Sequence, residues 1–331
     1  MEIPMDTIRI ACVARLDEKD SIHTQTFKRA VAVCSDYLSE SAASFIENYN
    51  GYNFEIKCFD DEASAEGSIK AVEKVLGYEA HTVVGHFASA SAQYAAPIYE
   101  AHNINLFLPA STAKDLTKHK TTYRICDNDV DYVRFIVKYL NNNNYRIGSY
   151  SHDQSFYGES ICNNVKTFDN IQNEKRTNDI SSDVPLTPIS IYAARYFMSV
   201  DYLRKRSVYL KGKNIEESVL LTDDALSMAL VKESISENLH VLVAGIEPKI
   251  QGPLADKIYE HYLNKWGEAP GTYFWETIAS IQIAAQSINQ NPSIKSWNTV
   301  IGPIKFDASG EANINCFGIW RLNDSTLIKL P

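Results

Sequence analysis

The chain has 331 residues, 45% of them apolar, and a formal net charge of −9 at pH 7. That apolar share supplies ample cores, and the acidic balance without any long basic run argues against nucleic-acid binding. The length fits either one large unit or two lobes, and no uninterrupted apolar run is long enough to span a bilayer.

Taken in order, MEIPMDTIRIACVAR has no basic start and no apolar stretch ahead of a cleavage site, and Ile8–Val13 reads as a first strand. Arg15–His23 is a polar loop leaving its C-terminal end. Phe27, Ala30, Val31, Cys34, Leu38, Ala42, Phe45 and Ile46 recur at helical spacing, and Asn50-Gly51 closes that helix. Asn53–Phe59 alternates as a strand, followed by the charged loop Asp60-Asp61-Glu62. Ala65–Leu76 is a helix with Ile69, Val72, Val75 and Leu76 turned inward. Alternation of strand and helix is the signature of a doubly wound α/β sheet.

The stretch Thr82–Thr117, TVVGHFASASAQYAAPIYEAHNINLFLPASTAKDLT, continues as strand, turn, helix, strand and turn. Gly85 permits a sharp exit from the sheet. Ser89 and Ser91 open a helix that ends near His102–Asn103, and Ile104–Leu108 runs into Pro109-Ala110-Ser111-Thr112. In a parallel sheet both strand ends lie on the edge where open α/β sheets bind ligands. A helix N-terminus with unpaired N–H groups suits a carboxylate. Ser89 would cap that helix and donate to the same anion, Thr112 would reach in from the next strand end, and the Ala110 carbonyl would accept from an ammonium. The plainer reading makes Ser89 an N-cap only and Pro109–Thr112 a turn.

Further on, Thr122–Cys126 is a strand, Asp127-Asn128-Asp129 starts a helix over Val133–Leu140, and Asn141–Asn144 is a solvated loop. Arg146–Tyr150 is a strand and Tyr157-Gly158 opens a helix. Residues 171–187 are polar with Pro185 and no clear period. Ile189–Tyr192, Val219–Thr222 and Val241–Ala244 are strands, and Phe197–Leu210, Pro253–Trp266 and Ile278–Ile288 are helices. Asp223-Asp224 ends one of these strands and could equally cap a following helix. Six cysteines stand far apart with no Cys-x-x-Cys, which fits neither a zinc site nor a compact disulfide framework. Eight histidines are dispersed without metal-ligand spacing on a helix face. His86 lies three residues before Ser89 without a Gly-x-Ser-x-Gly elbow, and there is no phosphate-cradling glycine loop. No catalytic residue, metal or cofactor is expected.

The run from Gly85 through a serine cluster and a helix ending Pro-Ile-Tyr-Glu to Pro-Ala-x-Thr resembles the core motif of Leu/Ile/Val solute-binding proteins of ABC importers, which are type I periplasmic binding proteins. Arg124 followed by Asp129 and Asp131, Tyr157-Gly158, Tyr273–Thr277 and the closing Gly302–Asp307 are similar to further family features, so the resemblance covers nearly the whole chain. It implies two Rossmann-like lobes with a ligand cleft between them and the second lobe shortened by roughly one βα unit. Lobe one would be 1–127 with 251–315, and lobe two 128–250 with 316–331. It also implies an amino-acid clamp. Ser89 and Thr112 take the carboxylate, Ala110 and Asp224 (ahead of Asp223) the ammonium, Tyr157 closes over from lobe two, and Tyr273 lines the side-chain pocket. His23 and Arg15 are further lining candidates, Arg15 suiting a more polar ligand. The family's early disulfide is not reproduced, since Ala88 occupies one partner's place.

The function this implies is binding of a small polar ligand, most simply an amino acid, for an ABC permease. The alternatives are a cytosolic amide or amino-acid sensor with a regulatory partner, and an enzyme recruited from the scaffold. The missing leader and the cysteine spacing predict a cytoplasmic protein with free thiols, or a periplasmic one if a signal peptide was removed.

Overall fold

The inner parallel strands of this chain read as short apolar runs because they are buried on both faces, and those runs set the architecture. The computed structural model describes residues 6–17, 22–47, 49, 51–177, 186–314, 316–323 and 326–331. The chain divides into two units, Met1–Asp127 with Pro248–Cys316 and Asn128–Glu247 with Phe317–Pro331.

The first unit begins with β1 (Thr7–Ala14), α1 (Ile22–Phe45), β2 (Asn53–Asp60), α2 (Ala65–Gly77), β3 (Thr82–Gly85), α3 (Ser89–Ala101), β4 (Asn105–Leu108) and β5 (Thr122–Arg124). Its five strands are all parallel, in the order β2-β1-β3-β4-β5. The order reverses between β1 and β3, so the C-terminal ends of those strands flank the switch point where doubly wound sheets hold ligands. Phe27, Ala30, Val33 and Cys34 of α1 pack on one face, and Ala71, Val72, Ala92, Ala95 and Tyr99 of α2 and α3 on the other.

Three local expectations are corrected here. The helix begins at Ile22, so His23 sits in its first turn and not in a loop. That helix ends at Phe45, well before Asn50-Gly51, of which Asn50 lies outside the described residues. Ile69 is 44% exposed, because the buried stripe of α2 is centred on Ser68, Ala71, Val72 and Val75 and leaves Ile69 at its edge.

The second unit contains α4 (Asp129–Asn142), β6 (Tyr145–His152), α5 (Phe156–Thr177), β7 (Thr187–Ala193), α6 (Tyr196–Leu210), β8 (Glu217–Leu221) and β9 (Leu239–Ile246). Asn128 caps α4 by accepting from the Val130 and Asp131 N–H groups. Asn141 and Asn142 complete α4 instead of forming a loop, and Asn144 leaves it with a φ of 60°. The expected shortening near 171–187 falls partly on 178–185, including Pro185, which lie outside the described residues. Among the described residues of this unit, the parallel crossover without an α-helix is the one from β8 to β9. It holds only the 3-10 turns Asp223–Ala225 and Leu230–Lys232, so Asp223-Asp224 caps no α-helix after β8.

The chain then returns to the first unit with α7 (Pro253–Trp266), α8 (Phe274–Gln286), β10 (Trp297–Thr299) and β11 (Gly302–Ile304). Helix α8 is buried over most of its length in the α1 side of the core. Finally β12 (Phe317–Asn323) and β13 (Thr326–Lys329) add antiparallel strands to the second unit, whose sheet order is β13-β12-β9-β8-β7-β6. No helix among the described residues is long and apolar enough to cross a membrane.

Candidate ligand-binding site

The edge of the first unit is shaped by Gly85. Its φ is 112°, and a Cβ there would stand 1.9 Å from the Val13 carbonyl oxygen, so only glycine passes so close to β1. Three residues later Ala88 is the N-cap of α3 without a side-chain bond. Ser89 therefore is not the cap expected from the sequence but the first helical residue. Its Oγ instead accepts from the Ala113 N–H at 3.2 Å. That bond draws the β4 turn against the start of α3 and puts the Ser89 hydroxyl beside the peptide that follows Thr112. Thr112 is buried, while Ala110 and Ser89 are half-buried. The first N–H groups of α3 point out of the helix without intrahelical partners, at the positive end of its dipole.

Buried side chains brace the two turns. Ser111 donates its hydroxyl to the His86 carbonyl at 2.7 Å and also approaches that of Phe87 at 3.2 Å. Arg124, fully buried, donates to the carbonyls of Ser111 (3.1 Å), Ala113 (2.8 Å) and Lys114 (3.1 Å). Its Nε lies 3.1 Å from Glu311 Oε2, close enough for charge attraction though off the line of a hydrogen bond. Sequence reading singled out Arg124 only as part of a connection between lobes; its work on the 111–114 backbone needed the fold to be seen.

An aromatic cluster adjoins Phe87. The His23 ring lies 6.3 Å from Phe87 and 5.9 Å from Tyr273, Phe87 and Tyr273 meet edge to face at 5.6 Å, and Phe27 backs Phe87 at 5.4 Å. Tyr273 adopts the left-handed conformation (φ 67°) immediately before α8. Arg15 follows β1, and its carbonyl accepts from the Thr24 hydroxyl at 3.0 Å, tying the strand end to the first turn of α1. His23 and Tyr273 thus come together as expected for neighbours. Phe87 was passed over in the sequence, although its position two residues before Ser89 was the available signal.

In the second unit, Tyr157 on α5 donates its hydroxyl to Asp223 and not to Asp224. Asp223 is buried, and its N–H donates to the Tyr132 hydroxyl at 2.8 Å. Asp224 Oδ2 accepts from the Tyr196 N–H at 2.6 Å, at the start of α6. The acidic pair is thereby divided, one member linked to Tyr157 and the other placed on a helix N-terminus.

Two further polar groups in the first unit are fully enclosed. His86 Nδ1 is 2.8 Å from Asp61 Oδ2 and its Nε2 is 3.2 Å from the Tyr99 hydroxyl, with all three residues at 0% exposure. Glu276 on α8 is 1% exposed and neither carboxylate oxygen has a hydrogen-bond partner. Burial, with Asp127 adding to it, pushes its carboxyl up to about 8. No group of three or more His, Cys, Asp or Glu among the described residues could hold a metal ion.

Two α/β units built on largely parallel sheets, with hydroxyl-bearing strand ends gathered at a helix N-terminus in the first, give the chain the fold of the type I periplasmic binding proteins. In sequence the chain is similar to the Leu/Ile/Val-binding protein of Citrobacter freundii, at 25% identity over 301 residues covering 80% of this chain and 79% of that protein. Among solved structures it resembles the substrate-binding protein of a Desulfitobacterium hafniense ABC transporter in complex with Leu (TM-score 0.74, 15% identity, 98% and 100% of the two chains). It also resembles the branched-chain amino acid transporter substrate-binding protein of Streptococcus pneumoniae in complex with isoleucine (TM-score 0.76, 14% identity, 98% and 99%). No protein-family model matches the chain.

These relatives correct the expected compartment. The cytoplasmic assignment rested on a missing leader and on cysteine spacing, whereas the proteins matched over four-fifths of the chain are binding proteins of the periplasmic, importer-linked kind. Six unpaired thiols, five of them buried, are compatible with such a setting because burial shields them from reaction.

Proposed function

We propose that this protein binds a small α-amino acid as the solute-binding component of an ABC importer of the branched-chain amino acid type, delivering it to a permease without chemical change. The observation that most supports this reading is the bond from the Ala113 N–H to Ser89 Oγ, which gathers two strand ends bearing hydroxyls at the N-terminus of α3. A carboxylate placed there meets the helix N–H groups and dipole, and the Ser89 and Thr112 hydroxyls donate to it. The Ala110 carbonyl then accepts from the ammonium. The His23, Phe87 and Tyr273 rings supply an apolar wall for a hydrocarbon side chain. Arg15, at the end of β1, is the polar member of the set. The bound amino acids of the structural neighbours agree with this chemistry.

Calorimetry tests the reading. Leucine, isoleucine and valine titrated into the wild-type protein should bind at micromolar or tighter affinity. Ser89→Ala and Thr112→Ala should each weaken binding by about 1.5–3 kcal/mol, the range for a hydrogen bond to a charged group. Asp224→Asn tests the ammonium contact separately. It should weaken an amino acid while leaving the matching carboxylic acid without its amine unaffected. Wild-type affinity in all three variants would refute the clamp.

A further inference from the structure

The carboxylate-binding turn of the proposed site is only five residues long, from Gly85 to Ser89, and one of those residues is a histidine with no exposed atom. We propose that His86 is a positioning residue for ligand binding: anchored by Asp61, Tyr99 and Ser111, it holds Phe87 and Ser89 in the geometry that receives the carboxylate. The inference rests on the clamp reading above.

The ring joins elements that are remote in sequence. Asp61 follows β2. Its N–H donates to the Ala14 carbonyl at 3.2 Å and its Oδ1 accepts from the Ala63 N–H at 2.9 Å, so the carboxylate is itself fixed before it meets His86. Its second oxygen takes Nδ1 of His86 at 2.8 Å. Tyr99, nearly three turns along α3, faces Nε2 at 3.2 Å. Burial, reinforced by the Asp61 charge, keeps the Tyr99 phenol protonated and hence able to donate to that nitrogen. The His86 carbonyl is held as well, by the Ser111 hydroxyl at 2.7 Å, and the same hydroxyl reaches the Phe87 carbonyl. Ring and backbone of one residue are thus tied to the β2 loop, to α3 and to the β4 turn that carries Thr112. With both ring nitrogens engaged, His86 is not placed to serve as a base for Ser89.

Burying these polar groups costs desolvation that their hydrogen bonds largely offset, so the cluster adds little net stability against apolar residues of similar volume. Its directional bonds do restrict conformation. Rotation of this ring breaks a bond at Asp61 or Tyr99 where no water can replace it. The same burial makes the turn rigid before ligand arrives, which removes an ordering cost from binding.

His86→Leu, His86→Asn, Ser111→Ala and Tyr99→Phe test the proposal, each compared with wild type at a temperature where circular dichroism shows full folding. In ligand-free protein, hydrogen exchange of the amides from Phe87 to Ala90 should rise about tenfold or more in His86→Leu and Ser111→Ala, a local change near 1.4 kcal/mol, while β1 and β4 stay protected. Leucine affinity should fall in parallel by about tenfold. His86→Asn, whose amide can replace the Nδ1 bond to Asp61, should recover most of the affinity, which a purely stabilising role would not require. If His86→Leu fails to fold, Ser111→Ala and Tyr99→Phe carry the decision. Unchanged exchange of this turn, or a loosened turn with wild-type affinity, overturns the proposal. Failure of the wild-type protein to bind any amino acid would instead refute the clamp reading, and the ligand-free exchange result separates the two.

Discussion

Glu276 offers a prediction in which sign and size both follow from its surroundings. Its carboxyl is enclosed on α8 without a hydrogen-bond partner, and burial first, then the charge of Asp127, holds it protonated up to about 8. The nearby titratable groups are Asp127, Cys126 and Cys316, with Cys316 donating its thiol to Asp127 at 3.4 Å. In the unfolded chain a glutamate releases its proton near 4.3. Between those values the folded state keeps a proton that the unfolded state has lost, so stability falls as pH rises through the window and levels off above about 8. The slope from this one group is about 1.4 kcal/mol per pH unit, for a total of about 5 kcal/mol across the window. Glu276→Gln removes the titration while resembling the protonated acid in shape. Urea unfolding of both proteins from pH 5 to pH 9 should show the two within about 1 kcal/mol at pH 5 and the variant progressively more stable above it. Subtracting one profile from the other cancels the remaining groups. A flat difference, or a wild type that gains on the variant with rising pH, would refute the assignment of a buried neutral acid.

Two further outcomes are expected. Arg124→Met leaves three backbone carbonyls without their buried donor and Glu311 without its buried cation, and should cost about 3–5 kcal/mol of stability and weaken amino-acid binding as the 111–114 turn relaxes. Unfolding and calorimetry of the same sample check both, and a variant within 1 kcal/mol of wild type would contradict the bracing role. Native alkylation followed by peptide mass mapping should label Cys58 first, because it alone of the six thiols is not buried, while burial pushes Cys12, Cys34 and Cys126 well away from the thiolate. Equal labelling of Cys12 and Cys58 would contradict the packing of α1 on the sheet.

What the sequence disclosed and what it withheld divide along a physical line. The α/β alternation was readable because a parallel strand covered on both faces needs an unbroken apolar run, as in Val83–Val84 and Leu106–Leu108, and because Pro253 at the start and Gly267 just past the end punctuate α7. Interactions across sequence were not readable. Nothing local to Asp61 indicates that it faces His86 twenty-five residues on, and nothing local to Asp223 indicates that Tyr157 reaches it instead of Asp224. Ser89 shows how little it takes to separate the two kinds of information. Read as an N-cap, its hydroxyl would be spent on its own helix. Because Ala88 takes the cap position, Ser89 moves one residue inward, and its oxygen turns to the Ala113 N–H of a different strand end. The residue type made a polar role at a helix start legible, but only the register of the helix against β4 decides whether that hydroxyl closes one turn or joins two.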